Sequence, residues 1–377
     1  MRLSRRRFVG ITGGVATTLA TLPMSAEVLT SIKVAETMAD GPIRLDRNEN
    51  PYGPSPKVLE AMRNALNMAN RYPVREYSEL AQRIAAMHNV QPERVLLGCG
   101  SGEILRVAAV GLLGPGKKFV QASPTYETAE SYARLAGADV ISVALNQKFE
   151  HDLDHMLARI DAGTPLVYIC NPNNPTGSLT PRSELETFIA KLQPTTAVLI
   201  DEAYHHYALG SSDYTSFLDH PIGDDRIIVA RTFSKVYGLA GMRLGYAVAA
   251  PKVIAKLRPH ITPVNVNELV VQAGFAALDD AENVTEGIRT NEVGRKEFFH
   301  QARARGLKPI PSCTNFVMTD VHRPTQDVVE YFRTKGVLIG RKFPPLETYI
   351  RVSLGKPEEM KEFWRGYDAQ PKSSSRA

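Results

Sequence analysis

The chain contains few cysteines and no long apolar run. Its three cysteines, Cys99, Cys170 and Cys313, have no CxxC spacing, so they do not form the pattern of a zinc site. We expect small packing residues, with an oxidised pair left open. The longest weakly apolar run covers residues 9–22, fewer than the ~20 residues that a permanent membrane helix needs. These absences argue against a disulfide scaffold and predict a soluble mature protein.

Acidic residues are absent from the first 26 positions, which hold four arginines. Over the whole chain 45 Lys+Arg face 40 Asp+Glu, and without those four arginines the basic residues number 41. The positive excess therefore belongs to the N-terminus. We expect no nucleic-acid partner, because that would need a basic face on the folded domain.

The N-terminal segment has the pattern of an export signal. Arg5, Arg6 and Arg7 precede Phe8, and the glycine- and alanine-rich run at 9–22 follows. This resembles a twin-arginine (Tat) signal, which implies a Tat translocase partner and a periplasmic or exported protein. The alternative is the basic tail of a cytoplasmic protein. Cleavage after Ala26 or Ala39 and retention as an uncleaved anchor all remain open.

Short apolar runs alternate with helical patterns between residues 95 and 249. Runs that are apolar throughout and joined by helices predict an α/β fold with a mostly parallel seven-stranded sheet covered on both faces. The last strand could run antiparallel. The strands are expected at 95–97, 118–122, 139–143, 166–170, 197–200, 227–230 and 245–249, with helices that include 102–113, 125–135 and 182–192.

The segments on either side of this region do not show the alternation of apolar runs and helices. Residues 39–56 are rich in breakers and predict an extended arm, followed by helices at 57–68 and 78–88. After Pro263, helices at 268–278 and 284–305 and strands at 315–319 and 349–353 predict a smaller α+β domain. The predicted division is a signal and linker at 1–38, an arm and small-domain part at 39–70, a large domain at 71–263, a small C-terminal domain at 264–369 and a disordered tail at 370–377.

Lys235 stands among groups that suit one cofactor. Thr232 and Ser234 precede it, Arg243 follows eight residues later, and Asp201 ends an earlier strand. A lysine for covalent attachment, a carboxylate for a pyridine nitrogen, and hydroxyls with an arginine for a phosphate are what pyridoxal phosphate requires. A lone lysine after a strand is usually a solvated surface group, but several motifs in this order argue against coincidence.

Three further motifs fit the same cofactor. Gly100, Ser101 and Gly102 follow a strand and begin a helix, so their backbone N–H groups can bind phosphate. The alternative is a glycine-rich turn that only reverses the chain and binds no ligand. Tyr126 can stack on the pyridine ring or serve only packing. Asn174, at a strand end, can donate to the ring 3-oxygen or belong to a rigid turn.

The strand end at Asp201 is expected to carry catalysis. Its carboxylate pairs with the pyridine nitrogen, and Tyr204 reaches the ring 3-oxygen. The rival hypothesis is a metal pair with Glu202, but adjacent strand residues point to opposite faces. His205 and His206 are interpreted as structural, and no metal is predicted.

Arg351 lies in a short apolar strand of the second domain. A lone arginine there is costly unless it is paired. A substrate carboxylate would be a fitting bidentate partner, and a structural salt bridge is the alternative.

Together these motifs resemble the fold-type I, class I/II aminotransferases over residues 44–364, and most closely their histidinol-phosphate aminotransferase branch. Residues 48–53, Asn-Glu-Asn-Pro-Tyr-Gly, favour this branch. The resemblance implies pyridoxal 5'-phosphate and a homodimer in which Tyr72 reaches the phosphate of the partner subunit. It places Tyr52 near the substrate and makes Lys235 the proton shuttle. Arg351 would hold the carboxylate or polar end of the substrate, and Arg341 is a further substrate-binding candidate that could meet an anion.

One segment departs from that branch, whose members often carry an Arg-Pro pair shortly before the final strand. Here the order is Arg341-Lys342-Phe343-Pro344-Pro345. A phosphate-bearing donor and an aromatic amino acid both remain open.

The expected reaction passes an amino group from an amino acid or amine to a 2-oxo acid such as 2-oxoglutarate, by ping-pong kinetics through Lys235. A decarboxylase, lyase or synthase on the same fold is the alternative. A non-catalytic binding protein is a third, but it would not need Lys235, Asp201 and Arg243 together.

Overall fold

The computed structural model describes residues 41–370. The predicted Tat signal, both candidate cleavage sites and all but the first residue of the predicted tail lie outside the described residues. Within residues 41–370, no helix combines the length and apolarity needed to cross a bilayer.

The strands form one large sheet and two small ones. In chain order they are β1 (Ile43–Leu45), β2 (Val95–Cys99), β3 (Lys118–Ser123), β4 (Asp139–Ala144), β5 (Leu166–Cys170), β6 (Ala197–Asp201), β7 (Ile227–Thr232), β8 (Leu244–Ala249), β9 (Lys308–Pro309), β10 (Phe316–Asp320), β11 (Val337–Ile339) and β12 (Tyr349–Ser353).

Twelve α-helices accompany these strands in the described part of the chain. They are α1 (Pro56–Asn64), α2 (Val74–Met87), α3 (Ser101–Leu112), α4 (Thr128–Leu135), α5 (Leu153–Leu157), α6 (Arg182–Lys191), α7 (His205–Ala208), α8 (Pro251–Leu257), α9 (Glu268–Leu278), α10 (Ala281–Ala304), α11 (Thr325–Thr334) and α12 (Pro357–Asp368).

The large sheet has seven strands in the order β2-β8-β7-β6-β5-β3-β4. Strand β8 runs antiparallel to both neighbours, and the other pairings are parallel. Alternate residues of β5 enter different cores: Val167 and Ile169 pack on one face, and Leu166 and Tyr168 on the other. The predicted α/β fold with a mostly parallel seven-stranded sheet is confirmed, and the open direction of the last strand is antiparallel.

The second layer joins the arm to the C-terminal part of the chain. Strand β1 pairs in parallel with β11, and β12-β10-β9 form an antiparallel sheet. Leu45 of β1 is fully buried in the same core as Phe298, Val317 and Trp364. The arm is therefore fixed by a strand pairing with residues almost 300 positions away.

Some predicted boundaries were wrong. The helix expected at 125–135 begins only at Thr128, because the Thr125 hydroxyl donates to Asn173 Oδ1 at 2.8 Å and holds the chain in a turn. The helix expected at 57–68 ends at Asn64, and a separate 3₁₀ turn covers Leu66–Met68. The packing role expected of the cysteines holds for buried Cys170 but is wrong for exposed Cys99, which ends its strand; none of the three forms a disulfide.

Candidate active site

A cavity of about 560 Å³ lies where the carboxyl ends of the parallel strands meet the arm and the small sheet. This is the edge at which open α/β sheets bind ligands, and the volume suits a small-molecule site. The predicted site residues that line it are Ser101, Gly102, Tyr126, Asn174, Asp201, Tyr204, Thr232, Ser234, Lys235, Arg243, Arg341 and Arg351.

The Lys235 amine lies inside this cavity. Its Nζ donates to the Asn48 carbonyl oxygen at 3.0 Å and lies 5.3 Å from the centre of the Tyr204 ring. Burial, with help from the nearby Arg351 charge, lowers the pKa of Lys235 to about 8, against a smaller opposing effect of Asp201. An amine with that pKa is partly neutral near neutral pH, so it can act as a nucleophile and as a base.

Asp201 is a buried carboxylate that belongs to none of the ion pairs within residues 41–370. Its Oδ2 accepts from the Tyr168 hydroxyl at 3.0 Å and its Oδ1 from the Ala203 N–H at 3.1 Å. Burial raises the pKa of Asp201 to about 6, because few charges offset its loss of hydration. A protonated pyridine nitrogen in the cavity would supply the missing positive charge.

The neighbouring carboxylate points away from the cavity. Glu202 pairs with Arg231 at 2.9 Å and accepts from the Ser216 hydroxyl at 2.6 Å, and it is 2% exposed. Asp201 and Glu202 therefore lie on opposite faces, as strand geometry predicts, and do not converge on one ion. No group of three potential metal-ligating side chains occurs in the described range.

The glycine-rich turn and Arg243 meet at one end of the cavity. Gly100 has a φ of +78°, which side-chain-bearing residues rarely adopt, and a Cβ there would lie 2.3 Å from Arg243 Nη2, so a larger residue would strain the turn and displace the guanidinium. Arg243 also lies 3.4 Å from the Ser234 hydroxyl, and Ser101 begins α3. Helix N–H groups, hydroxyls and a guanidinium thus face one space, which fits a phosphate.

Two polar side chains lie where the ring 3-oxygen is expected. Asn174 Oδ1 accepts from Arg351 Nη1 at 2.7 Å, so its amide nitrogen remains free to donate into the cavity. The Tyr204 hydroxyl accepts from Asn48 Nδ2 at 3.0 Å. Tyr126 lines the same cavity with 39% of its surface exposed. Taken together, the donor set fits pyridoxal phosphate.

Arg351 is 8% exposed and has no acidic partner among the ion pairs of the described residues. Besides its bond to Asn174, Nη2 donates to the Asp46 carbonyl at 2.8 Å, and its buried Nε has no hydrogen-bond partner. Burial lowers the pKa of Arg351 to about 10. A structural salt bridge therefore does not explain this arginine, and a substrate carboxylate would.

Two of the predicted site residues, Tyr52 and Tyr72, do not line the Lys235 cavity. Tyr52 lines a second cavity of about 720 Å³ between the arm, α10 and α12, so a single chain does not bring it to Lys235. Tyr72 is 86% exposed and lines neither cavity. Of the histidines interpreted as structural, His205 is buried and His206 is half-buried, and His205 Nδ1 lies 3.1 Å from the Tyr214 hydroxyl.

Sequence reasoning missed Asn48 and Phe343. Asn48 carries the carbonyl that accepts from Lys235, and Phe343 lies 4.5 Å below the Arg351 guanidinium, measured to the ring centre. The available signal was the asparagine-rich arm segment, but nothing local says which of its side chains turns inward.

Comparisons with known proteins agree with this geometry. The model of the family "Aminotransferase class I and II" matches residues 40–365. A histidinol-phosphate aminotransferase of Moorella thermoacetica is 35% identical over 92% of this chain and 93% of its own length. One of Symbiobacterium thermophilum is 36% identical over 85% and 88%.

The solved structure of histidinol-phosphate aminotransferase from Sinorhizobium meliloti, in complex with pyridoxal-5'-phosphate, superposes with a TM-score of 0.81. It is 27% identical and covers 94% of this chain and 97% of its own. The chain therefore belongs to the class I and II aminotransferases, and it is a pyridoxal phosphate-dependent enzyme.

Proposed function

We propose that this aminotransferase passes an amino group from a donor of the histidinol phosphate or aromatic amino acid type to a 2-oxo acid such as 2-oxoglutarate. The observation that carries the proposal is Arg351, a buried guanidinium that lines the Lys235 cavity and has no acidic partner among the ion pairs of residues 41–370. The names of the relatives support the histidinol phosphate class.

Each half-reaction uses the same residues. Pyridoxal phosphate, when bound, supplies an electron sink that makes the proton on the substrate α-carbon removable. Lys235, with a pKa of about 8, takes that proton and returns it. Asp201 holds positive charge near the ring nitrogen, and Arg351 orients the substrate or the acceptor carboxylate.

The mouth of the cavity distinguishes the two donor types. Arg341 forms an ion pair with Glu127, and its guanidinium lies 4.3 Å from the centre of the Phe343 ring. A phosphate would compete with Glu127 for Arg341, whereas an aromatic ring would pack on Phe343 and leave the ion pair intact. Loss of Arg341 is thus expected to harm turnover of a phosphate donor much more than that of an aromatic one.

The test is an absorbance titration of the purified, cofactor-loaded protein with histidinol phosphate, phenylalanine, tyrosine and glutamate. Conversion of the cofactor to its amino form by one donor would establish the half-reaction and name the donor. Arg341→Ala should then weaken that conversion only if the donor carries a phosphate. A band that no donor converts would contradict the proposal and favour a decarboxylase, lyase or synthase, which would turn over without a 2-oxo acid.

We also propose a homodimer with shared active sites. Tyr72 supports this, because it is 86% exposed in a single chain although the resemblance assigns it to the phosphate of the partner subunit. Mixing inactive Lys235→Ala and Tyr72→Ala subunits should restore activity, since one site of each hybrid would be intact. Failure to recover activity from hybrids that do form would contradict shared sites.

Export through the Tat translocase to the periplasm is a further proposal, and it rests on the twin arginine and the run at 9–22. Replacing Arg5 and Arg6 by lysine should retain the protein in the cytoplasm, as fractionation would show. Normal delivery of this variant would contradict the proposal.

A further inference from the structure

Asn48 joins the arm, the catalytic lysine and the small sheet in one buried network. It is 2% exposed, and its φ of 55° lies in the left-handed region that asparagine tolerates better than most residues. Its carbonyl accepts from Lys235 Nζ and from Asn315 Nδ2, each at 3.0 Å. Its amide side chain lies between Tyr204 and Ser353. All the polar atoms of this one residue are thus engaged.

The direction of each bond follows from the backbone N–H, which can only donate. Asn48 N donates to Ser353 Oγ at 2.8 Å, so the hydroxyl proton of Ser353 must point elsewhere. Its best acceptor is Asn48 Oδ1, at 3.2 Å. With Oδ1 on the Ser353 side, Nδ2 faces Tyr204 and donates to the phenol oxygen at 3.0 Å.

This polarity leaves the proton of Tyr204 uncommitted. Tyr204 is 3% exposed and lines the Lys235 cavity. Its hydroxyl has no other hydrogen-bond partner within residues 41–370, so a ligand in the cavity is the acceptor that remains. Asn48 therefore determines that Tyr204 presents a donor, and not an acceptor, to the cofactor.

We propose that Asn48 is a positioning residue that orients the Tyr204 hydroxyl as a hydrogen-bond donor towards the ring 3-oxygen of pyridoxal phosphate. The inference deepens the proposed site, because it rests on the predicted role of Tyr204 at that oxygen. A donor there favours the ionised form of the oxygen and lowers the pH at which the bound cofactor changes its absorbance.

The experiment is a pH titration of the absorbance of the pyridoxal phosphate-loaded protein, in the wild type and in Asn48→Gly, Tyr204→Phe and the double variant. Glycine keeps the left-handed backbone and removes only the amide. Asn48→Gly should raise the midpoint in the same direction as Tyr204→Phe, by a roughly threefold to tenfold change in proton affinity, the size of one lost hydrogen bond. In the Tyr204→Phe background it should add nothing.

A second variant, Asn48→Asp, separates the effect of the hydrogen-bond direction at Tyr204 from the effect of a new negative charge. In Asn48→Asp the carboxylate can only accept, so it draws the Tyr204 proton away from the cofactor and should raise the midpoint more than glycine does. Part of that rise must vanish in the Tyr204→Phe background, because a purely electrostatic effect of the new charge would persist there.

Asn50→Ala is the matched control for a loosened arm, since Asn50 Nδ2 donates to the Val236 carbonyl at 2.9 Å and the Asn50 side chain is hydrogen-bonded to neither Asn48 nor Tyr204. Its midpoint should stay at the wild-type value. An equal shift in Asn50→Ala and Asn48→Gly, no shift in Asn48→Gly, or the same shift with and without Tyr204 would each overturn the proposal. An unchanged midpoint in Tyr204→Phe would remove the role of Tyr204 itself, whereas the donor titration tests the aminotransferase reaction independently.

Discussion

The cavity has two walls that are built in different ways. The sheet wall consists of strand ends and the turns that follow them: Asp201 and Thr232 end parallel strands, and Lys235 lies in the turn after β7. The arm wall joins Asp46 and Asn48 to side chains 305 residues away, at Arg351 and Ser353. The sheet wall carries the charges for the cofactor, and the arm wall orients groups around them. The reacting groups are thus placed by local strand structure, and the groups that orient them are placed by contacts between distant segments.

The largest effect is expected on the sheet wall. Lys235→Ala removes the group that both attaches the cofactor and moves the proton, so kcat should fall by more than about 10⁴-fold, the upper range for a general acid or base. The absorbance of the covalently attached cofactor should also disappear. Retained turnover in a purified variant would contradict the assignment of Lys235.

Two isosteric replacements compare Asp201, which ends β6 and lines the cavity, with Glu202, which follows it and points away. Asp201→Asn removes the charge at the ring nitrogen and should lower kcat by about 10²- to 10³-fold with little change in folding stability. Glu202→Gln leaves the buried Arg231 charge with only the more distant Asp219, at 3.8 Å, as an acidic partner and should reduce the free energy of unfolding by about 3 kcal/mol. Kinetics and denaturant unfolding of both variants are the measurements. Similar profiles would show that the two faces are not functionally distinct.

On the arm wall, Arg351→Lys keeps the charge but loses the planar donor pair. The variant should lower kcat/KM for a carboxylate substrate by roughly 10- to 100-fold, the value of a charge-assisted hydrogen bond. Most of the loss should appear in KM, because the contact is made before the chemical step. An amine lacking the carboxylate serves as the control, and an equal loss with it would contradict the clamp.

The smallest effect concerns the stability of the apoprotein. The pKa of Lys235 is about 8 in the fold and 10.5 as a free side chain, so the unfolded state binds the extra proton between these values. The buried charge is most costly below pH 8, and that cost is relieved as pH rises towards 10.5. Lys235→Met should therefore stabilise the apoprotein most below pH 8, with the gain shrinking above it, as thermal unfolding would show. A gain in stability that does not depend on pH would show that it comes from better packing of the methionine and not from removal of the buried charge.

The contrast between the walls also explains what the sequence could predict. The seven strands of the large sheet were located because each is a short apolar run, and Asp201 and Lys235 could be placed because strand ends meet at one edge. The direction of β8, the inward turn of Asn48 and the separate cavity at Tyr52 depend on contacts between distant segments. Helices α11 and α12 and strand β11 also escaped prediction, although both helices are amphipathic and bury one face in the small core.

The arm also has a practical consequence for anyone who handles this protein. Only two residues, Asp46 and Arg47, separate Leu45, the end of β1, from Asn48, whose carbonyl accepts from the catalytic lysine. A truncation that reaches β1, or a bulky fusion placed directly before it, would displace Asn48 and disturb its hydrogen bond to Lys235. Affinity tags and surface attachments therefore belong after α12, and trimming from the front should stop before Ile43.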